Sequence, residues 1–223
     1  MTNAETAAID PRQLTAEFLG TAFLVAGVVG SGIMAERLSD DVGLQLLENA
    51  FATAGVLLAL ILAFGPVSGA HFNPVVTLAE RARGTVTSAQ AGAFMIVQIA
   101  GGIAGVMAAN VMFDLAVINI SDKDRGGANL LFAEGIATLG LLLVIYGVVM
   151  AERPTLAAAT VAGYIGGAYW FTSSTSFANP AVTIARTMSD TFAGIDPANA
   201  VGFIIAQLIA AAIGIPLLRW LFA

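Results

Sequence analysis

The sequence has no cysteine, a single histidine and few charged residues. Asp, Glu, Lys and Arg make up 11% of its 223 residues, whereas about a quarter of an average soluble domain is charged. The lack of cysteine excludes disulfides and thiolate metal sites, and one histidine cannot form a multi-histidine centre. The net charge is −6 and basic residues do not cluster, so we expect no nucleic-acid partner, no metal and no cofactor.

Apolar residues make up 58% of the chain and fall in long runs. Because about 20 apolar residues in a row can cross a bilayer, the runs predict an all-α membrane protein with six transmembrane helices. The spans are expected near residues 14–34, 44–64, 89–112, 128–151, 154–171 and 200–221. Residues 1–13 lack the positive segment of a signal peptide and are expected to form a short N-terminal tail.

Two stretches of the chain share one pattern. Asn73-Pro74 and Asn179-Pro180 are each followed by a small apolar residue, Val, Thr, an aliphatic residue and Ala. Proline is favoured in the first turn of a helix, and asparagine is a good N-cap. Each stretch therefore predicts a loop that leads into a short helix, at 73–83 in the first case and 179–188 in the second.

The similarity extends beyond these stretches and predicts an internal repeat. Glu17 in the first span matches Glu134 in the fourth, and Gln98 in the third matches Gln207 in the sixth. The repeats are expected at 14–113 and 128–223, joined by a polar linker at 114–127. Three spans per repeat require opposite orientations in the membrane, so the fold is an inverted 3+3 repeat. The two half-helices would then enter from opposite faces and meet near the midplane.

The paired helix ends predict a pore. Irregular backbone at membrane depth is tolerated only where it is buried in protein or lines water. The loops before the half-helices offer carbonyl acceptors, and Asn73 and Asn179 offer donors. Each helix N-terminus contributes about half a positive charge. A passing solute would meet acceptors along one wall and two donors at the midplane, where cations are disfavoured.

This arrangement resembles the aquaporin (major intrinsic protein) family. Residues 68–74 read Ser-Gly-Ala-His-Phe-Asn-Pro, which is very close to the first Asn-Pro box of that family, although Val75 stands where the family usually has alanine. The resemblance spans nearly the whole chain. It implies a homotetramer with one pore per subunit, in which the two boxed asparagines are the central donors.

The resemblance also assigns roles to three other residues. Glu17 and Glu134 match acidic residues that brace the half-helix loops in the family, and a carboxylate within an apolar span needs such partners. A proton relay is the alternative, but no further acids or histidines connect the two residues. His71 matches a histidine beside the pore, where lining the pore or bracing the loop is expected. A pH gate remains the alternative for this histidine.

The expected selectivity filter departs from the common types in the family. Counted without gaps from the two boxes, its four positions fall on Thr53, Gly167, Ser176 and Val182. Water-selective members usually have an aromatic residue, a histidine, a small residue and an arginine at these positions. The filter here is therefore expected to be wide, uncharged and mildly polar. It resembles a bacterial branch of the family that lacks the arginine and is associated with arsenical efflux or tolerance.

Other interpretations of these positions remain open. The four filter residues could be ordinary small residues for helix packing. Arg186, one turn beyond Val182, could reach the outer vestibule, but we interpret it as a cation at the end of the short helix. Several aromatic residues are interpreted as interfacial or packing residues: Tyr164, Tyr169, Trp170 and Trp220.

The expected function is a passive channel for small uncharged solutes. Glycerol-like polyols, urea-like molecules and metalloid hydroxides such as arsenous acid would fit, with some water permeability. A water-selective channel is the first alternative and an ion-coupled secondary transporter the second. An enzyme is not expected, because no catalytic set can be assembled. A slight excess of Lys and Arg on one side favours cytoplasmic termini in the cell inner (plasma) membrane.

Overall fold

A computed structural model describes residues 9–222, apart from the side chain of Pro154. Residues 1–8 of the expected tail lie outside this range. The helices in chain order are α1 (Pro11–Leu38), α2 (Val42–Ser68), α3 (Pro74–Arg83), α4 (Ser88–Met112), α5 (Ala128–Met150), α6 (Ala157–Phe171), α7 (Pro180–Arg186) and α8 (Pro197–Leu221). Within the described residues, extended pairing is limited to an isolated bridge between Asn119 and Ser189. The predicted all-α fold class is confirmed.

Six of these helices are spans and two are half-helices. Helices α1, α2, α4, α5 and α8 are long and apolar enough to cross a membrane. Helix α6 is shorter, with 15 residues, and follows a 3₁₀ turn at Pro154–Leu156. At 1.5 Å per residue, it is about 22 Å long. Helices α3 and α7 have 10 and 7 residues, which is too short to cross.

One span ends later than the sequence suggests. The second span was expected to stop at Gly65-Pro66, but α2 continues to Ser68 with Pro66 inside the helix. A proline in a helix lacks its own backbone N–H and disturbs the preceding turn, which can bend the helix without ending it. The end comes instead at Gly69, whose φ of 89° is the left-handed conformation that glycine adopts without steric cost.

Small residues allow the helices of the first repeat to approach closely. Helix α1 packs against both α2 and α4. A Cβ atom added at Gly101 would lie 2.3 Å from the backbone oxygen of Phe18, and one at Gly105 would lie 2.2 Å from that of Ala22. Only glycine fits at such contacts, which are typical of helix packing in membranes.

The second half is built in the same way, and the half-helices join the two halves. Helix α5 packs against α6 and α8, as α1 packs against α2 and α4. Helix α7 contacts α4 of the first half, α3 contacts α8 of the second half, and α3 and α7 contact each other. This crossed packing holds the N-termini of both half-helices at the centre of the bundle.

Candidate pore

Asn73 and Asn179 link the two half-helices at the centre. Each Oδ1 caps its own helix by accepting the backbone N–H two residues on, at 2.9 Å in α3 and 3.0 Å in α7. The Nδ2 of Asn73 donates to the carbonyl of Ala178 at 2.8 Å, and the Nδ2 of Asn179 donates to that of Phe72 at 2.8 Å. An amide nitrogen has two hydrogens, so each asparagine retains one N–H for the cavity that both residues line.

The carboxylate of Glu17 holds the loop before α3. It is fully buried. Its Oε1 accepts from Ser68 Oγ at 2.6 Å and from the backbone N–H of His71 at 2.9 Å. Its Oε2 accepts from the backbone N–H of Phe72 at 2.7 Å and from Gln98 Nε2 at 2.8 Å. Four donors satisfy the hydrogen-bonding capacity of a carboxylate whose burial in an apolar bundle would otherwise be costly.

Glu134 holds the loop before α7 in the same manner. Its two oxygens accept the backbone N–H groups of Phe177 and Ala178, each at 2.9 Å. Gln207 Nε2 donates to the same carboxylate at 2.7 Å and to Thr183 Oγ1 at 3.0 Å. The matching glutamine of the first repeat binds Glu17 and Thr77 in the same way. The repeated Glu, Gln and Thr positions therefore form one brace per half-helix.

These braces restrain strained backbone. Ala70 and Phe72 before α3 have φ of 52° and 49°, and Ser176 and Ala178 before α7 have φ of 52° and 47°. The left-handed region costs a residue other than glycine roughly 1–3 kcal/mol. The strained positions are spaced identically in the two loops, and the N–H groups of Phe72 and Ala178 bind the buried carboxylates directly. The braces therefore stabilise the conformation that both loops need.

A cavity of about 540 Å³ runs beside the two loops and half-helices. Its polar side includes the central asparagines and His71. Its other side is formed by aliphatic residues of the long helices: Leu24, Val28, Leu57, Ile61, Leu141 and Val161. The cavity is thus lined by aliphatic residues as well as by the asparagine donors that the sequence predicted for a pore.

His71 and an ion pair lie towards the α3 side of this cavity. The Nδ1 of His71 is 3.1 Å from Thr77 Oγ1. The same hydroxyl oxygen accepts from Gln98 Nε2 at 2.9 Å, so His71 is joined to the brace of the first half-helix. Further along the cavity, Arg83 forms an ion pair with Glu80 at 2.6 Å.

Three of the four expected filter residues line the cavity together, whereas Gly167 does not. Thr53, Ser176 and Val182 are all lining residues. Gly167 is exposed on the outside of α6, with nothing within 4 Å of a Cβ added there. Tyr169 lines the cavity instead, and its hydroxyl lies 3.1 Å from Thr53 Oγ1. Residues two apart on a helix point about 200° apart, so a small error in ungapped counting selects the wrong face.

Ser176 brings an unused hydroxyl to this end of the cavity. The residue is 3% exposed, and its Oγ has no hydrogen-bond partner among the described residues. Unpaired polar atoms of this kind are rare in buried positions. Since Ser176 also lines the cavity, its hydroxyl is available to a solute or to water.

Arg186 lies at the end of the short helix, as expected, but it also lines the cavity. It is the last residue of α7, is 2% exposed and lines the cavity. Its guanidinium carbon lies 3.3 Å from the ring centroid of Phe177, and its Nε donates to the carbonyl of Ala193. Arg125 lies over the same ring at 5.2 Å. The sequence contained no signal for this burial, because residues 187–195, which enclose Arg186, do not resemble a core segment.

The linker between the repeats packs on those same residues. Lys123 Nζ donates to the carbonyl of Phe192 at 2.8 Å, and Arg125 Nε donates to that of Gly194 at 2.7 Å. Burial and the nearby Arg125 lower the pKa of Lys123 to about 8. Burial also lowers the pKa of Arg125 to about 10. The linker is therefore attached to the pore mouth on the α7 side and brings two cations there.

Comparison with known proteins identifies the family. The profile described as Major intrinsic protein matches residues 5–174, which is well over half of the chain. The chain belongs to the major intrinsic protein family. The inverted repeat, the boxed half-helices and the family resemblance predicted from the sequence are thereby confirmed. As a member of this family, the chain is a multi-pass membrane channel for small solutes.

Individual relatives agree with this assignment. The chain is 46% identical over 210 residues to aquaglyceroporin AqpS of Rhizobium meliloti (strain 1021), covering 94% of this chain and 90% of the relative. It is 34% identical over 127 residues to aquaporin Z of Brucella melitensis biotype 1, covering 57% and 52%. The X-ray structure of the aquaglyceroporin from Plasmodium falciparum matches with a TM-score of 0.62 at 19% identity, covering 94% and 98%. At that identity, the structural match shows the fold alone.

Proposed function

We propose that this major intrinsic protein is a passive channel for small uncharged solutes larger than water. Glycerol-like polyols, urea-like molecules and metalloid hydroxides such as arsenous acid are the proposed cargo, and some water passes as well. The observation that carries the proposal is the outer end of the cavity, which Thr53, Ser176 and Val182 line together with Tyr169, and which has no charge at residue 182 itself. The name aquaglyceroporin of the Rhizobium meliloti relative supports it.

The chemistry of the lining suits molecules with several hydroxyl groups. The free Oγ of Ser176 and the central N–H groups of Asn73 and Asn179 can bind successive hydroxyls as a solute advances. The carbon side of a polyol can lie against the aliphatic residues at little cost in free energy, because neither surface has a polar group that would lose its hydrogen bonds to water. Arsenous acid is uncharged at neutral pH and carries three hydroxyls, so the same groups would accept it.

We further propose a homotetramer in the cell inner membrane, with each subunit containing its own pore and both termini in the cytoplasm. The proposed repeats are 14–113 and 128–223. The outer faces of the long helices support a lipid or subunit environment, since large apolar side chains are exposed there: Phe23, Phe51, Ile96, Phe132 and Trp220. The slight excess of Lys and Arg on the side of the termini supports the orientation.

Proteoliposome flux tests the proposed function directly. Vesicles containing the protein are expected to reswell several-fold faster than empty vesicles after a hyperosmotic pulse of glycerol, urea or arsenous acid. Reswelling equal to that of empty vesicles for all three solutes would refute the proposal. A high ratio of water to glycerol permeability would favour the water-selective alternative. Saturation together with dependence on an ion gradient would favour the secondary transporter.

A matched pair of substitutions tests whether Thr53 of α2 lines the path of the solute and whether Gly167 of α6 lies outside it. Thr53→Phe introduces a ring into the cavity and is expected to reduce glycerol flux several-fold, because the solute must pass Thr53. Gly167→Phe introduces the same ring on the exposed face of α6 and is expected to leave flux unchanged. The measurement is stopped-flow light scattering at equal protein content. A loss of flux in the Gly167 variant alone would contradict the proposed filter.

A further inference from the structure

Two arginines line the cavity, and only one of them, Arg83, forms an ion pair with an acidic residue within the described part of the chain. The other is Arg186. It follows Val182 by four residues in α7, and both side chains line the cavity. One helical turn separates them, or about 6 Å along the axis. A solute that passes Val182 therefore also passes close to a guanidinium group, although position 182 itself carries no charge.

The charge of Arg186 is not neutralised by a contacting acid. Among residues 9–222, the ion pair within 4 Å is that of Arg83 and Glu80. Arg186 instead rests on the ring of Phe177, and its Nε binds a backbone carbonyl. Within the described part of the chain, its two terminal nitrogens have no hydrogen-bond partner. A ring and a carbonyl fix the group in place but leave its net charge intact.

Neighbouring groups strengthen the positive potential there. The guanidinium carbon of Arg125 lies 5.2 Å from the centroid of the same Phe177 ring, and Lys123 binds the adjacent loop. The ionisable groups near Arg186 are Arg125, Tyr169 and Glu134. The carboxylate of Glu134 is bound to the three donors of the brace and does not line the cavity, whereas Arg186 does.

We propose that Arg186 is the residue that excludes cations from this pore. The inference rests on the proposed channel function and deepens it. A unit charge in a confined site of low dielectric opposes a like charge much more strongly than it would in water, whereas an uncharged polyol is unaffected by that repulsion. The charge lies beyond Val182 rather than at it, so the constriction stays wide enough for larger neutral solutes. The central helix ends then do not act alone against cations.

The experiment compares cation leak and glycerol flux in the same proteoliposomes. Arg186→Met removes the charge and keeps an unbranched side chain. We expect its K⁺ leak, measured with an entrapped K⁺-sensitive dye, to rise at least about tenfold over the unaltered protein. Glycerol flux is expected to persist. A variant that still carries glycerol but remains as tight to K⁺ as the unaltered protein would overturn the proposal.

Arg125→Met is the matched control. Arg125 contacts the same ring and the same loop as Arg186 but does not line the cavity. Its replacement removes a charge that lies outside the cavity, so it is expected to raise the K⁺ leak far less than Arg186→Met does. Equal K⁺ leaks in the two Met variants would mean that K⁺ enters because the contacts around Phe177 are loosened, and not because a charge in the pore is lost. That result would overturn the assignment to Arg186.

Arg186→Lys keeps the proposal testable should the Met variant fail to fold. This variant keeps a cationic side chain at residue 186, so at pH 7 it is expected to be as tight to K⁺ as the unaltered protein while it carries glycerol. A folded Arg186→Lys variant that carries glycerol and leaks K⁺ at least about tenfold faster than the unaltered protein would overturn the proposal. Failure of the unaltered protein to carry any neutral solute would instead refute the proposed function, and the two failures are therefore distinguishable.

Discussion

Val182→Arg is expected to reduce glycerol flux at least about tenfold, which corresponds to an added barrier of about 1.4 kcal/mol. Val182 is 5% exposed and lines the cavity at the same end as Thr53 and Ser176. An arginine there is longer and brings five N–H donors. It also lies four residues before Arg186, so two like charges would share one face of α7 and repel each other. The new side chain must therefore extend into the cavity.

The measurement compares glycerol, arsenous acid and water flux in the variant. Water is smaller than glycerol, so its flux is expected to fall less, and the ratio of water to glycerol permeability should rise. Val182→Met serves as the control, since it adds length without charge and should retain most of the glycerol flux. An unchanged flux of glycerol and arsenous acid in Val182→Arg would show that residue 182 does not line the constriction.

Glu134→Gln is expected to lower the free energy of unfolding by at least about 3 kcal/mol and to abolish solute flux. The carboxylate accepts three hydrogen bonds from buried donors, two of them backbone N–H groups of the loop before α7. A glutamine keeps one acceptor oxygen and turns an NH₂ group towards a donor. Ser176 and Ala178, which hold left-handed backbone, would lose the restraint that keeps their loop in place.

Thermal unfolding in detergent measures this effect. For a chain of 150–250 residues, about 3 kcal/mol corresponds to a fall of roughly 6–12 °C in the melting temperature. Glu36→Gln is the matched control, because Glu36 is exposed at the end of α1, and this substitution should leave the melting temperature unchanged. Glu17→Gln should resemble Glu134→Gln, since Glu17 accepts four comparable bonds. Equal melting temperatures in Glu134→Gln and Glu36→Gln would contradict the brace.

Part of the site could be predicted from the sequence, because the patterns that mark it are local or occur twice in the chain. The Asn-Pro boxes carry their own helix start, and α3 and α7 begin at the proline of each box. The paired glutamates were recognisable because a carboxylate in an apolar span requires partners. Gln98 and Gln207 were seen as a repeat, but their bonds to the carboxylates required the packed helices.

The residues that line the Thr53 end of the cavity were harder to predict from the sequence, for a physical reason. Gly167 and Tyr169 are two residues apart, so which of them faces the cavity depends on the rotation of α6 against α2. The local pattern of small residues does not determine that rotation. The hydrogen-bonding distance between Tyr169 and Thr53 reveals it in the folded chain.

By itself, the sequence determined the membrane environment, the six spans, the two half-helices and the inverted order, because hydropathy, capping and repetition act along the chain. Only the tertiary structure decided what surrounds the pore mouth. Arg186 is a charged residue at the end of a short helix, which in sequence indicates a cation at a helix C-terminus. It is buried instead, because residues 187–195 fold back over it and the ring of Phe177 supports its guanidinium. Those contacts depend on how residues 177–195 fold around Arg186, and residues 187–195 have no sequence pattern that predicts it.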